Sequence, residues 1–261
     1  MILFLTPFKA KRVTRDWAAL CALAERAMRS VFAQTDERFT VLLLCHDRPG
    51  FAAEFDSRLQ VMEADFEAPH PGGFCAAEGN RDKWEKLLDG LIATPALAPT
   101  YVMVRDCDDF ISRRLVAYCL RADDPNGYSL RTGYLHRTGS RWLTYTPAFW
   151  RNCGSSAVLR ADRLRFPQSK GQAERDACLF MTHGHTVIRQ AMVDRGWPLA
   201  DIPFPSGVYS ISHGDNVTDT RKTPWAKLLR RSECRDGLRE LGLIRPLTRC
   251  IREEFSLPEA G

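Results

Sequence analysis

The sequence contains no hydrophobic run long enough to cross a lipid bilayer. No window approaches the roughly 20 consecutive apolar residues that a transmembrane helix needs. The opening segment Met1–Leu5 is apolar, but it ends at Thr6-Pro7 and no basic residue precedes it, which excludes the pattern of a signal peptide. We therefore expect a soluble protein of the cytoplasm and leave open a peripheral contact with the inner face of the membrane.

No pair of cysteines has the spacing of a metal-binding or redox motif. The nine cysteines are odd in number and scattered, and several lie in apolar stretches, including Cys21, Cys45 and Cys119. Buried, reduced thiols of an intracellular protein explain this pattern better than a disulfide framework does.

The composition indicates one large α/β core followed by a basic tail. The chain has 261 residues, of which 44% are hydrophobic, and its formal net charge is +5. We predict one domain over residues 1–220 and a basic, mostly helical extension over residues 221–261 that packs on it or trails from it. The Lys and Arg residues of this extension suit an anionic membrane surface or nucleic acid, or simply a solvated helix face.

Strands and helices alternate through the first half of the chain. Apolar runs predict strands at 2–5, 39–45, 59–62 and 101–105. Three- and four-residue periodicity predicts helices at 14–34, 81–93 and 112–123, with Thr14 and Ser112 as caps. This order is typical of a mostly parallel sheet flanked by helices.

The second half of the chain has a different pattern. We predict a hairpin from 128–135 and 141–149, a strand at 155–159 and a mobile loop at 166–183. A helix at 186–195 and a last strand at 208–212 complete the prediction.

An acidic cluster follows the strand at 101–105. Asp106, Asp108 and Asp109 place three carboxylates within four residues, at the strand end where open α/β sheets bind ligands. Such carboxylates repel one another unless a positive charge neutralises them. Mg²⁺ and Mn²⁺ prefer oxygen ligands, so the cluster indicates a divalent-cation site. A set of helix-capping acids is the other interpretation.

The run YVMVRDCDDFIS resembles the strand and DxDD segment of GT-A-fold glycosyltransferases, especially bacterial family-2-like enzymes. RDKWEKLLDGL before this run and YSISHGDN late in the chain follow the order of that family. The resemblance implies a GT-A-like, Rossmann-like fold that is mixed and mostly parallel, with an acceptor-side hairpin. It also implies transfer of a sugar from a nucleotide-diphosphate donor to a glycan or other hydroxyl acceptor, in polysaccharide assembly, with Mn²⁺ or Mg²⁺ as cofactor.

The resemblance assigns roles within the cluster and late in the chain. Asp106 lies near the ribose or donor sugar and contributes to the metal site, Asp108 binds the metal, and Asp109 helps to orient the donor site. His213 matches a late histidine that completes the metal or diphosphate shell. A loop histidine with a purely structural role is the alternative for His213.

Other candidate residues contact the donor. Arg81 and Lys83 open the helix before the acidic strand and can hold a diphosphate. Thr6 and Pro7 follow the first strand, where the family places nucleotide-contacting backbone, and Asp47 follows the second. Each of these also has an ordinary interpretation, as an exposed helix face or as turn chemistry.

The general base and the acceptor site are the least defined parts. Glu174 and Asp176 lie in the region where the family carries an acidic base, but no acid precedes the helix that follows His183-Gly184-His185. His185 is therefore a third candidate base, since an imidazole has a suitable pKa. Trp142 and Trp150 are candidates for stacking on an acceptor sugar, or for hairpin packing. The stretch 152–156 is a hypothetical backbone contact with the donor sugar.

Two other classes of function compete with the first. A metal-dependent phosphotransferase or nuclease could use the same acids, although no further carboxylates show a converging pattern, so we do not expect nucleic acid as a partner. A non-catalytic relative that binds a partner is the third class, supported by the missing acid near His185.

Overall fold

The computed structural model describes residues 1–72, 75–211 and 242–258, which form two sheets and their flanking helices. The strands are β1 Ile2–Pro7, β2 Phe39–Cys45, β3 Leu59–Glu63, β4 Tyr101–Val104, β5 Phe110–Ile111, β6 Gly127–Ser129, β7 Gly133–Arg137, β8 Trp142–Thr146, β9 Ala157–Arg160, β10 Ala200–Asp201, β11 Gly207–Ile211 and β12 Ile244–Pro246. The helices are α1 Trp17–Phe32, α2 Ala76–Ala93, α3 Leu115–Ala122, α4 Gln172–Ala177, α5 Leu179–Thr182, α6 His185–Asp194 and α7 Arg249–Phe255.

The larger sheet has the strand order β10-β6-β9-β4-β1-β2-β3. β1 pairs in parallel with β2 and β4, and β2 pairs in parallel with β3. β9 runs antiparallel to β4 and β6. The smaller sheet has the order β12-β8-β7-β11-β5 and contains the β7–β8 hairpin. The predicted mixed α/β fold, with a mostly parallel central sheet flanked by helices, is confirmed.

The central strands are buried on both faces because helices cover each side of the sheet. Successive side chains of β1 point to opposite faces, so Ile2 and Phe4 enter a core with α1 and α3. Leu3 and Leu5 enter a second core with α2 and α6. The continuous apolar runs of β1 and β2 follow from this double coverage.

Two predicted helix caps are wrong. The Asp16 side chain, not Thr14, caps α1 by accepting a hydrogen bond from the Ala19 N–H at 2.9 Å. The Thr14 hydroxyl donates instead to the Ala10 carbonyl. The third helix begins at Leu115 with Arg114 as its cap residue, because the residues before it form β5 and a turn at Ser112.

Predictions for four other parts of the chain are also wrong, two in where an element begins and two in which elements are present. α2 begins at Ala76, five positions before the predicted start at residue 81. Residues 127–129 form β6 in the larger sheet, so the hairpin begins only at Gly133. Segment 166–183 contains α4 and α5, and not only a loop: Leu179 and Phe180 of α5 are buried in the second core, whereas α4 buries no residue. β11 is followed by β12.

The end of the described chain packs on the smaller sheet. β12 pairs with β8, and the Phe255 side chain of α7 is buried. The Glu254 carboxylate accepts hydrogen bonds from the Ser112 hydroxyl and, at 2.8 Å, from the Arg114 side chain. The proposed boundary at residue 220 lies outside the described residues, as does most of the predicted basic extension. Within the described ranges, no helix is both long enough and apolar enough to span a bilayer.

A buried ionic network joins α2 to the loops that follow β1 and β2. The Lys86 ammonium, 1% exposed, donates to the Phe8 carbonyl at 2.8 Å and to the Asp82 carboxylate at 2.6 Å. The other Asp82 oxygen lies 2.7 Å from Nε2 of His46. The network therefore fixes two loops at the carboxyl edge of the parallel strands.

Replacing Lys86 with Met should destabilise the protein by about 3 kcal/mol, because the change leaves the buried Asp82 carboxylate without its cation. Urea unfolding measures the difference. Lys11→Met, a matched change at an exposed position, should stay within about 0.5 kcal/mol of the parent. Equal midpoints for the Lys86 variant and the parent would show that the network contributes nothing.

Candidate active site

The acidic loop lies at the carboxyl end of β4, beside the end of the parallel strand β1. The Asp106 N–H donates to the Ser155 hydroxyl at 2.8 Å, and the Asp109 N–H donates to the Asp106 carbonyl at 3.2 Å. The loop is thus held by the segment that leads into β9. As predicted, the acids follow a buried strand.

Lys83 of α2 forms an ion pair with the Asp106 carboxylate. The two side chains are 30% and 28% exposed, so the pair lies at the surface of the crevice. Burial alone would lower the pKa of Lys83, but Asp106 outweighs that effect and raises it. Burial would likewise raise the pKa of Asp106, but Lys83 lowers it. Both groups are therefore charged at neutral pH.

A second cation lies beneath the loop. Arg105, which is fully buried, donates from Nε and Nη2 to the Asp109 carbonyl at 3.1 and 2.9 Å. Its Nη1 lies 3.5 Å from the hydroxyl of Thr6, which is also fully buried. Thr6 therefore contributes to the support of the loop, and its side chain is not displayed in the crevice. Pro7 beside it is buried as well.

The Asp109 side chain points into the protein. Its Oδ2 accepts hydrogen bonds from the Ser155 hydroxyl at 2.5 Å and from the Cys153 thiol at 3.0 Å. Its Oδ1 is buried and has no hydrogen-bond partner among the described residues. Burial, together with the carboxylates of Asp108 and Asp106, raises the pKa of Asp109 well above its ordinary value. The raised pKa favours the neutral form of Asp109, whose side chain supports the loop from within.

The acidic loop fits a divalent cation only as a partial site. Within the three described ranges, no group of three His, Cys, Asp or Glu side chains is placed to hold a metal. Mg²⁺ is, however, commonly held by one or two carboxylates, with water and substrate phosphates completing the shell. The carboxylate chemistry of Asp106 and Asp108 fits that arrangement. His213 lies outside the described residues.

A cavity opens beside the Lys83–Asp106 pair, and it encloses about 500 Å³ of space including its open mouth. Its lining combines apolar and polar residues: Lys83, Trp84, Val104, Gly154, Ser156, Ala157, Phe180, His183, Gly184, His185 and Ile188. The residues come from α2, β4, the segment before β9 and the start of α6. The cavity is therefore built by the elements that meet at the end of β4.

His185 is the first residue of α6 and lies in the cavity wall. Burial lowers the pKa of His185, and the nearby Asp106 carboxylate only partly opposes this effect. The imidazole is therefore neutral at pH 7 and able to accept a proton. Of the three candidate bases, it is the one that lines this cavity.

The other two candidate bases lie on α4. Glu174 accepts hydrogen bonds from the Arg165 side chain and the Gln168 N–H at 3.2 and 3.1 Å. Asp176 accepts from the Gln172 side chain at 2.7 Å. Neither carboxylate belongs to the cavity lining. Both act in the local structure of the 165–177 segment.

The remaining donor candidates are not assembled around the cavity. Arg81 is exposed on α2. Asp47 accepts a hydrogen bond from the Lys11 N–H at 2.8 Å and so joins the loops after β1 and β2.

The two acceptor candidates lie apart from each other. Trp142 starts β8, at the tip of the hairpin, and is 46% exposed. Trp150 follows the other end of β8 and carries the Arg151 guanidinium 4.9 Å from its ring centre. Neither residue lines the cavity.

Several residues of the site carry no motif in the sequence. The only local signal for Arg105 is a charged residue that ends an otherwise apolar strand. Trp84 and Phe180 follow the apolar pattern of ordinary core residues, and their place in the cavity wall depends on tertiary packing. The stretch 152–156 lies beside Asp106, and its contact with a donor sugar stays a prediction.

No family model matches the chain, and no curated protein is significantly similar to it in sequence. Its fold resembles that of S. aureus TarS, with 12% identity over 81% of this chain and 37% of TarS, and a TM-score of 0.40. A candidate nucleotide-diphospho-sugar transferase from Desulfovibrio desulfuricans has 11% identity over 92% and 97% of the chains, with a TM-score of 0.39.

A third similar structure is the mannose-1-phosphate geranyltransferase from Thermus thermophilus. It has 11% identity over 80% of this chain and 73% of its own, with a TM-score of 0.35. The chain thus spans little more than a third of TarS but nearly the whole of the Desulfovibrio protein. Scores this low do not define a family for the chain.

Gly154→Ala should disturb the acidic loop, because a Cβ at this position would lie 2.7 Å from Oδ2 of Asp106. We expect a loss of about 1–3 kcal/mol in the free energy of unfolding, measured in urea. Gly50→Ala is the control, since a Cβ there meets nothing within 4 Å. Equal losses for the two variants would contradict a tight contact between Gly154 and Asp106.

Proposed function

We propose that this chain is a glycosyltransferase that moves a sugar from a nucleoside-diphosphate sugar to a hydroxyl acceptor. The observation that carries this proposal is the Lys83–Asp106 ion pair at the end of β4, beside a cavity with His185 in its wall. Ligands of open α/β sheets bind at such strand ends. The site combines a charged part, which suits a diphosphate, with a partly apolar part, which suits a sugar.

Lys83 is the residue that meets the diphosphate. As the bond between the sugar and the diphosphate breaks, negative charge grows on the leaving group, and a fixed ammonium stabilises that charge. The Lys83 ammonium forms an ion pair with the Asp106 carboxylate. On donor binding, Lys83 would share its three N–H donors between Asp106 and a phosphate oxygen.

Asp106 and Asp108 are the proposed carboxylate ligands of Mn²⁺ or Mg²⁺. When bound, the cation would act as a Lewis acid on the diphosphate and neutralise its charge. Asp109 does not need to coordinate the cation for this role, since its side chain is bonded to Ser155 and Cys153. His213 remains a proposed contributor.

His185 is the proposed general base. Its imidazole would accept the proton of the acceptor hydroxyl as that oxygen attacks the anomeric carbon of the sugar. The lowered pKa keeps the ring in its neutral, proton-accepting form at physiological pH. The acceptor is a glycan or a small hydroxyl compound that reaches the mouth of the cavity.

The test of this function is release of nucleoside diphosphate from UDP-, ADP-, GDP- and dTDP-hexoses with Mn²⁺ present. The parent protein should turn over at least one donor, and Asp108→Asn and Lys83→Met should each reduce turnover at least about 100-fold. The control Arg121→Gln, at an exposed position on α3, should keep parental turnover. Full activity of the Asp108 variant on a confirmed donor would refute its assignment.

The pH dependence of kcat/KM tests the role of His185. Only the neutral imidazole accepts a proton, so activity should fall as the pH drops through its pKa. Burial lowers that pKa, with Asp106 opposing and Lys83 adding to the effect, so the acidic limb should lie below the ordinary value of 6.5. His185→Ala should lose the limb and about 100-fold in rate.

His70→Ala, a change at an exposed histidine outside the cavity lining, serves as the control and should retain the limb. An acidic limb that persists unchanged in the His185 variant would assign the titration to another group and exclude His185 as the base.

A further inference from the structure

Two adjacent buried serines before β9 differ in hydrogen bonding: the hydroxyl of one has partners and the hydroxyl of the other has none among the described residues. Ser155 and Ser156 are each 1% exposed. The Ser155 hydroxyl donates to Asp109 at 2.5 Å and accepts from the Asp106 N–H at 2.8 Å. The Ser156 hydroxyl is buried and has no hydrogen-bond partner among the described residues.

The backbone of Ser156 is fully engaged, so only its hydroxyl is unsatisfied. Its N–H donates to the Gly154 carbonyl at 3.1 Å, and its carbonyl accepts from the Leu130 N–H at 2.9 Å. A buried hydroxyl without a partner costs about 1–3 kcal/mol. Such groups are rare in folded proteins, and an alanine would avoid the cost.

Ser156 lines the cavity, together with Lys83 and His185. The described protein therefore places an unsatisfied hydroxyl in the wall of a space that a ligand can enter. The oxygen itself is covered, but a serine side chain has three staggered rotamers, and a rotation about χ1 can turn the oxygen toward a ligand. A bound molecule with a hydroxyl group would satisfy Ser156 where the protein does not.

The surroundings of Ser156 indicate which kind of ligand would bring a hydroxyl group to it. Trp84, Phe180 and Ile188 give the cavity an apolar side, which suits the C–H face of a sugar ring. A serine hydroxyl both donates and accepts, so it pairs with another neutral hydroxyl. Lys83, the one Lys or Arg among the described residues that line the cavity, is assigned to Asp106 and the diphosphate, and not to the sugar. A neutral, hydroxyl-bearing sugar fits this part of the cavity better than an acidic one.

We propose that Ser156 hydrogen-bonds a hydroxyl of the donor's sugar and is a specificity-determining residue of the site. This inference rests on the proposed glycosyl transfer and assigns the cavity beside Asp106 to the sugar half of the donor. Lys83 and the acidic loop hold the diphosphate half. Ser156 thus recognises the part of the donor that is transferred, and not the part that is released.

The test compares Ser156→Ala with Ser155→Ala by calorimetric titration. Two probes are used. The first is whichever of UDP-, ADP-, GDP- and dTDP-glucose the parent binds most tightly, and the second is the free nucleoside diphosphate of that donor. We expect Ser156→Ala to weaken binding of the glucose nucleotide about three- to tenfold, the worth of one neutral hydrogen bond. Its affinity for the free diphosphate should change less than about twofold.

Thermal unfolding separates this role from a structural one. Ser156→Ala removes an unsatisfied hydroxyl, so its melting temperature should equal or exceed that of the parent. Ser155→Ala breaks two hydrogen bonds of the acidic loop and should melt at a lower temperature. A lower melting temperature for Ser156→Ala would show that its hydroxyl has a structural partner, which overturns the proposal.

The remaining outcomes distinguish this inference from the proposed function. If the parent turns over a donor and Ser156→Ala binds the glucose nucleotide as tightly as the parent, the Ser156 assignment fails and the glycosyltransferase proposal stands. Equal weakening toward the sugar nucleotide and the free diphosphate would also overturn the assignment. If the parent neither binds nor turns over any of the donors, both proposals fail together.

Discussion

The loop after β4 must carry three carboxylates at the edge of a buried sheet, and this requirement shapes the site around it. Like charges so close are tolerated only with compensation. Lys83 supplies it from α2, and Arg105 supplies it from beneath the loop. Burial and the carboxylates of Asp108 and Asp106 raise the pKa of Asp109, which favours its neutral form. Lys83 and Asp106 stay partly exposed.

The elements that supply this compensation also build the cavity. α2 carries Lys83 and Trp84, and the segment before β9 carries Gly154, Ser155 and Ser156. Gly154 lies so near Asp106 that a larger residue would push the carboxylate away. Packing around the acids therefore leaves a space lined by both charged and apolar residues, and a sugar diphosphate likewise has charged and less polar parts.

The sequence was sufficient to predict the fold class and the position of the acidic loop. The apolar runs of β1, β2 and β4 are unambiguous because both faces of those strands are buried. Lys83 and His185 were also among the predicted site residues, and the structure brings both to the cavity. Helix starts were less predictable, because Asp16 rather than Thr14 caps α1 and the short helices α4 and α5 have little periodicity of their own.

The rest of the site depends on long-range contacts that leave no local pattern. The sequence pattern indicates only that Arg105 ends a strand, whereas in the structure its guanidinium donates hydrogen bonds to the Asp109 carbonyl. Ser155 and Ser156 are indistinguishable in sequence, and only the packing before β9 gives one of them partners. Glu174 and Asp176 were plausible bases by position, but α4 directs them to local contacts with Arg165 and Gln172.

The central claim is that the Lys83–Asp106 crevice holds a sugar diphosphate. Calorimetric titration with nucleoside-diphosphate hexoses in the presence of Mn²⁺ tests this claim most directly. We predict saturable binding of at least one donor to the parent protein, and loss of that binding in a Lys83→Met protein that keeps its fold. Unchanged binding in a folded Lys83→Met protein would contradict this claim, as would a folded parent protein that binds no donor.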